Sequence, residues 1–241
     1  MPSDKFKQYA WFSVQVDQYY SAVRIFARSH TQFCNIYSSL PTGDDWPSDL
    51  SSIPISESAK DFFMLATNTF KRIGTTSIFE SSSSDKLNNL AADMLNFSFY
   101  TCFCFQWTLF ETFVKDSILG LVDEKVFSAE ISEELLKIKR STARFLNYVH
   151  KGSVFDRSPF IAELPVTGWS VKTETCTFND LDRIRNLRND FIHAVTGPAI
   201  LPTSEPEKEK LYDRSMWIMR KYAENVDKEA SIKRKQQPER H

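Results

Sequence analysis

The feature that most constrains the fold is the stretch from Asp85 to Leu121, which contains no proline and a single glycine, Gly120, near its far end. Proline breaks helix interiors and glycine weakens them, so the stretch predicts one long central helix. Over 97–113, apolar side chains fall on nearly every side of this helix. A helix that is apolar all round is buried, so we expect several neighbours to surround it.

The same three-to-four spacing of apolar residues recurs along a chain that has only six glycines in 241 residues. This spacing is typical of helices rather than strands, so the predicted fold class is all-α. Besides the central helix, it predicts helices at 5–37, 56–72, 128–150, 177–197 and 205–232. The first is expected as one long helix or as two joined end to end.

Proline, glycine and serine mark the connections between these helices. They predict a loop over 38–56, a flexible connection over 74–84 and a long irregular connection over 152–176. A loop as long as the last often acts as a lid or specificity loop. The tail 233–241 is expected to be frayed.

Composition excludes several classes of function. The net charge of −1 excludes a globally basic coat for nucleic acid but leaves a local basic patch open. The four cysteines show no CxxC pair and no metal-ligand spacing with histidine, so buried, reduced thiols are expected. No signal segment is recognisable, and the most apolar region, 97–119, contains several charges, so we expect a soluble cytoplasmic protein without membrane contact.

The predicted helix at 177–197 has both ends marked. Asn179 or Asp180 can cap its start, and Gly197-Pro198 stops it. On a helical wheel its apolar residues form one broad face, made of Phe178, Leu181, Ile184, Leu187, Phe191, Ile192 and Val195.

A cation interrupts this apolar face, because Arg188 falls inside it. A charge that leaves water costs several kcal/mol unless it is paired and hydrogen-bonded. We therefore expect a carboxylate, a subunit boundary or a bound phosphate beside Arg188. Asn189 and His193, four residues apart, share one side at the border of the face.

The central helix also holds one carboxylate in an apolar row, Glu111. Its neighbours one and two turns away are Cys104, Trp107, Val114 and Ile118. One hypothesis pairs Glu111 with Arg188 across the core, because a buried carboxylate also needs a partner. The alternatives are that Glu111 reaches solvent or binds another lysine or arginine.

The predicted helix at 128–150 turns Ile131, Leu135, Ile138, Phe145, Leu146 and Val149 inward. Its cations are the best local candidates for contacting an RNA backbone, and the alternative is that they form a solvated charged face. These cations are Lys137, Lys139, Arg140, Arg144 and Lys151. His150 occupies a favourable place near the C-terminal end of the helix dipole.

The run Arg-Asn-Asp-Phe-Ile-His at 188–193 resembles the motif of the HEPN superfamily, an arginine usually followed by asparagine, with histidine a few residues further on. The gap alone is unspecific, because each of the four histidines here follows an arginine at a permitted distance. Of these four arginines, only Arg188 is followed by asparagine, sits late in a capped helix and occupies an apolar face.

The resemblance covers about 85–200 and implies a HEPN-like helical bundle there. The resemblance does not explain the rest of the chain, which is expected to form an N-terminal helical extension at 1–84, packed on that core, and a charged C-terminal helix and basic tail at 201–241. It also implies a homodimer in which two copies of the motif face one RNA-cleaving site. Cleavage would need no metal or cofactor and would leave 2′,3′-cyclic phosphate and 5′-hydroxyl ends. The setting would be toxin–antitoxin or antiviral defence, with an antitoxin or regulatory protein as a further partner.

Each motif residue then has an expected role. Arg188 would stabilise the phosphate, because its planar guanidinium donates parallel hydrogen bonds and stays charged. His193 would transfer the proton, because imidazole titrates near neutral pH. Asn189 and Glu111 would position these two groups. The alternatives are a catalytically silent HEPN-like module that dimerises or binds a nucleotide or partner, and a merely structural polar network.

Overall fold

The computed structural model describes residues 1–38, 83–151, 154–156, 159–160, 164–165, 173–193 and 204–236. The predicted helix at 56–72 lies outside the described residues. So do almost all of the two connections predicted around it, at 38–56 and 74–84.

Six helices account for most of the described residues, which confirms the all-α prediction. They are α1 (Asp4–Ser38), α2 (Ser83–Asp123), α3 (Ala129–Ile138), α4 (Thr142–His150), α5 (Phe178–His193) and α6 (Glu205–Gln236). Two short strands, β1 (Leu164–Pro165) and β2 (Thr173–Glu174), pair antiparallel within the stretch predicted to be irregular. Among the described helices, none has the length and apolar character needed to cross a bilayer.

The chain divides into two compact units. Met1–Asp17 and Phe99–His241 form the first unit, and Gln18–Ser98 forms the second. Within the second unit, the guanidinium of Arg24 lies 5.6 Å from the centre of the Tyr20 ring. All the sites considered below belong to the first unit.

The first predicted helix is continuous, as one of the two expected forms had it. Ser3 caps its start, because the Ser3 hydroxyl accepts a hydrogen bond of 3.1 Å from the backbone N–H of Phe6. The same hydroxyl donates to the buried carboxylate of Asp227, which also accepts from the Ser3 backbone N–H at 3.1 Å. The start of α1 is thereby attached to α6.

The central helix α2 is confirmed and extends two residues beyond each predicted end. One side carries fully buried aromatic residues, such as Phe103, Trp107 and Phe110, and the Phe110 ring meets Tyr222 of α6 edge-on. The expectation that α2 is buried on every side was wrong. Thr101, Phe105, Thr108 and Thr112 are exposed, and together they form an uncharged row that we call the α2 threonine face.

The predicted helix at 128–150 is two helices, α3 and α4. Ser128 caps α3 by accepting from Ile131, and the chain becomes extended at Ser141, with φ −108° and ψ 101°. Serine and threonine side chains compete for hydrogen bonds and favour helix ends over interiors. The Thr142 side chain bonds to α2, and this contact accompanies the break.

The last helix continues into the tail that was expected to be frayed. Lys233 forms an ion pair of 2.7 Å with Asp156, and Arg234 binds both carboxylate oxygens of Glu124 at 2.7 and 3.1 Å. These contacts hold α6 as far as Gln236, and residues 237–241 lie outside the described part. Trp217, one of the apolar residues of this helix, is 49% exposed.

Candidate active site

Of the two residues predicted to cap the start of α5, Asp180 takes part in the cap. Thr177 precedes the helix, and its backbone N–H and hydroxyl both donate to the Asp180 carboxylate, at 2.7 and 3.2 Å. Asp180 therefore acts from the third helical position, as in a capping box, while Asn179 is exposed. The helix ends at His193, and the predicted stop at Gly197-Pro198 lies outside the described residues.

Phe191 fixes the orientation of α5 against the central helix. Its ring lies among three aromatic rings of α2, with centroid distances of 5.6 Å to Phe99 and 5.0 Å to both Tyr100 and Phe103. Leu181 and Ile184 of the apolar face are also buried. Ile192, which was assigned to the same face, is 43% exposed, because the buried stripe is narrower than the wheel predicted.

Arg188 is half-buried, and its guanidinium is only partly hydrogen-bonded. Its Nη1 donates to Oδ1 of Asn189 at 3.0 Å. Its Nε is buried and has no hydrogen-bond partner within the described part of the chain. No described carboxylate forms an ion pair with it. Asn189 thus contacts the guanidinium, and the side chain of His193 lies outside the described residues.

The thiol of Cys104 on α2 is within range of the charge of Arg188. Burial raises the pKa of the Cys104 thiol, and the positive charge of Arg188 acts in the opposite direction. On a helical wheel, Cys104 lies directly beside Thr101 and Thr108. The charge of Arg188 thus acts on a residue that is next to the α2 threonine face.

The hypothesis that Glu111 pairs with Arg188 was wrong. The Glu111 carboxylate accepts hydrogen bonds from Lys115 at 2.6 Å, from the Trp107 indole at 3.2 Å and from the Thr142 hydroxyl. The alternative, a different lysine as partner, is what the structure shows. Lys115 was one turn away on the same helix, which is a favourable distance for an ion pair.

The protonation of Glu111 follows from this environment. Burial works to raise the pKa of its carboxyl, but the hydrogen bonds from Lys115, Thr142 and Trp107 outweigh it and hold the pKa below its ordinary value. Glu111 is seven residues from Cys104, which corresponds to about 10 Å along the axis of α2. Glu111 therefore joins α4 to α2 at a distance from Arg188.

The cations predicted to contact RNA all lie on the surface. Lys137 forms a long ion pair of 3.8 Å with Glu134. Lys139 and Arg140 are exposed where α3 ends, and Arg144 and Lys151 are exposed on and just after α4. None of these last four has an ion-pair partner among the residues described. We call Lys139 and Arg140 the basic turn. Thr142, two residues further on, contacts Glu111, so the basic turn lies near the centre of α2.

His150 packs against the first residue of the motif helix. Its ring stacks on Phe178 with a centroid distance of 4.4 Å and an interplanar angle of 14°. Burial lowers the pKa of His150. This direction is opposite to the effect of a helix C-terminus, which favours the protonated form.

A buried polar network on the other side of α2 was missed from the sequence. The Gln106 amide, 1% exposed, donates to the Ser13 carbonyl at 2.8 Å and to Asp17 at 2.9 Å. The Tyr212 hydroxyl also donates to Asp17, at 3.1 Å, and Arg220 lies 3.8 Å from its second oxygen. The network joins α1, α2 and α6. A single glutamine in an apolar helix was its signal.

The geometry around Arg188 suits an anion better than a metal. A guanidinium offers only donors, and no group of three or more potential metal ligands occurs in the described ranges. Cys102 and Cys176 are buried, reduced thiols, as expected. Comparison of the chain with protein-family models, with curated proteins and with solved structures finds no match.

Proposed function

We propose that the protein is a homodimeric, metal-independent endoribonuclease of the HEPN kind. The observation that carries the proposal is the guanidinium of Arg188, which has a buried Nε without a partner in the described part of the chain and one amide contact, to Asn189. Leaving a buried donor unsatisfied costs about 1–3 kcal/mol. A bound phosphate oxygen would satisfy this donor.

Arg188 is also held in a suitable orientation for that task. Asn189 occupies one Nη1 donor, and Phe191 fixes the rotation of α5 one turn further on. The guanidinium therefore has few orientations left to lose when it binds a phosphate. Positioned donors of this kind are effective where negative charge develops in a transition state.

The α2 threonine face supports a second copy as the partner. Phe105 is 49% exposed. The Thr108 hydroxyl donates to the Cys104 carbonyl at 3.0 Å, so its proton is already used in a hydrogen bond within α2. An uncharged surface can pack on an identical copy without repulsion across a two-fold axis. Because Phe191 of the motif packs on Tyr100 and Phe103 of α2, a dimer formed at this face would bring two copies of the motif near each other.

Two copies of the motif supply what metal-independent RNA cleavage requires. One His193 would take the proton from the 2′-hydroxyl, and the second copy's His193 would protonate the leaving 5′-oxygen. The two Arg188 guanidinium groups would stabilise the charge on phosphorus. The exposed Lys139 and Arg140 would hold the flanking RNA backbone, with a dependence on salt.

The direct test is incubation of the wild type and His193→Ala with RNA in EDTA, followed by analysis of the fragment ends. We expect cyclic-phosphate and 5′-hydroxyl ends from the wild type, and a rate at least about a hundredfold lower for the variant. Equal cleavage by both proteins would assign the activity to a contaminant or another site. No cleavage by either would favour the silent module.

That second candidate, a HEPN-like module that dimerises without cleaving RNA, is favoured by the same exposed Phe105. Both functions predict that Phe105→Glu converts a dimer to a monomer in sedimentation equilibrium. Trp217→Glu is a matched control, because Trp217 is equally exposed but lies on α6. A monomeric wild type, or dissociation in the control alone, would remove the dimer from both proposals. RNA cleavage then separates the two functions.

A further inference from the structure

A second surface feature lies between α5 and α6, on the side of α5 away from Asn189 and His193. It is an open groove of about 240 Å³. Its walls come from both helices, and its floor is aliphatic, formed by Ile184, Leu187, Leu211 and Ile218. Ile184 and Ile218 are buried, and Leu187 and Leu211 are half-buried, so the two leucines are the part of the floor that a ligand would cover.

The rim of the α5–α6 groove carries three cations, Arg183, Lys210 and Arg214. Arg214 is 3.6 Å from Asp180 and is partly neutralised. Arg183 and Lys210 are exposed, and neither has an ion-pair partner among the described residues. A ligand of negative charge would therefore meet two cations that no described carboxylate neutralises.

The two acidic residues at the rim are already engaged at helix starts. Asp180 accepts hydrogen bonds from Thr177 at the beginning of α5. Glu207 accepts from the Ser204 backbone N–H and hydroxyl, at 3.3 and 2.8 Å, at the beginning of α6. Their oxygens face the capping residues, so the rim presents positive charge to an incoming group.

The shape and lining of the groove discriminate between classes of ligand. Small-molecule sites usually enclose about 300–1,000 Å³ and cover most of the ligand, whereas this groove is smaller and open. Among the described residues no aromatic side chain lines it, and single-stranded nucleic acid usually stacks its bases on aromatic side chains. An aliphatic floor between two helices suits the apolar face of a third helix.

We propose that the α5–α6 groove binds an acidic amphipathic helix of a partner protein. Leucine or isoleucine side chains of that helix would cover Leu187 and Leu211. Its carboxylates would pair with Arg183 and Lys210. The surface is separate from the RNA site proposed above, so the partner could bind without occupying the Arg188 edge.

The test uses three labelled probes with the full chain. They are a synthetic helix of about four turns with leucines at three-to-four spacing and flanking glutamates, the same peptide with lysines in place of the glutamates, and single-stranded RNA. Each is titrated against the wild type, against Arg183→Glu/Lys210→Glu, and against Lys139→Glu/Arg140→Glu. The last variant makes the same charge change at the basic turn.

We expect the acidic peptide to bind the wild type and to lose at least about tenfold in affinity in the Arg183→Glu/Lys210→Glu variant alone. Methyl NMR of the wild type should place the peptide at Leu187 and Leu211. Absence of acidic-peptide binding, equal binding of the lysine peptide, or shifts elsewhere would overturn the proposal. So would loss of RNA rather than peptide binding in that variant. RNA cleavage is measured separately, so the proposed ribonuclease can fail while this inference holds.

Discussion

The central helix α2 is involved in two polar sites, the network around Gln106 and the surroundings of the Arg188 guanidinium. They differ in how many of their hydrogen-bonding groups have partners. The Gln106 amide has two close acceptors, Asp17 and the Ser13 carbonyl, and belongs to a network that joins three helices. Arg188 has one amide acceptor and a buried Nε without a partner in the described part of the chain.

This difference separates stability from function. A satisfied buried network favours one arrangement of the helices, so its loss should destabilise the fold. A partly satisfied cation weakens the fold until something else binds it, and strongly perturbed or unsatisfied groups are concentrated at functional sites. We therefore expect substitutions in the network and at Arg188 to affect different measurements.

The largest effect on stability is expected for Gln106→Met. The change keeps the size of the side chain but leaves the buried Asp17 and Ser13 oxygens with fewer donors, which should cost about 1–3 kcal/mol of unfolding free energy. Urea unfolding followed by circular dichroism measures it. Gln8→Met, the same change at an exposed position of α1, is the control and should be close to neutral. Equal losses in both variants would show that the network is not a special source of stability.

A smaller effect is expected for Glu111→Gln, about 1 kcal/mol at neutral pH. The pKa of Glu111 in the folded state is below its ordinary value of 4.5. Its contribution is therefore complete above that value and is lost as the pH falls through the lowered pKa. Unfolding measured across the acidic range should show the difference between variant and wild type disappearing in acid. Glu133→Gln, exposed on α3, should show no such convergence.

The smallest effect concerns His150, whose pKa is lowered from its ordinary value of 6.5 by burial. Below that value the unfolded chain takes up the proton first, so stability should fall as the pH drops, until the folded pKa is passed. His150→Phe keeps the ring on Phe178 and removes this dependence, which we expect to be below about 1 kcal/mol. Thermal unfolding between about pH 8 and pH 5 measures it. A variant with an undiminished slope would assign the dependence to other groups.

The helices could largely be predicted from the sequence, because apolar periodicity and capping residues are local signals. The bounds of α1 and α2 follow from them within a few residues. Which side of a helix meets a neighbour is not local. Phe105 and Trp217 have the same apolar character as buried residues, and only the tertiary packing leaves them exposed.

The candidate site could be predicted only in part. Periodicity placed Arg188 in the apolar face of its helix, and the structure has it half-buried. That no described carboxylate pairs with it could be seen only in the structure. The predicted partner of Glu111 was wrong. Two charges of opposite sign were assumed to pair across the core, although Lys115 was one turn away on the same helix. Cys104 and the Gln106 network depend on contacts between distant parts of the chain, which spacing alone does not show.

The most direct test of the difference between the two polar groups is Arg188→Met, with unfolding free energy and RNA cleavage measured on the same preparation. We predict unchanged or higher stability, because a half-buried and partly unsatisfied charge is removed, together with a loss of cleavage of at least about a hundredfold. A loss of several kcal/mol in stability with cleavage retained would contradict it, and would make Arg188 a structural residue like Gln106.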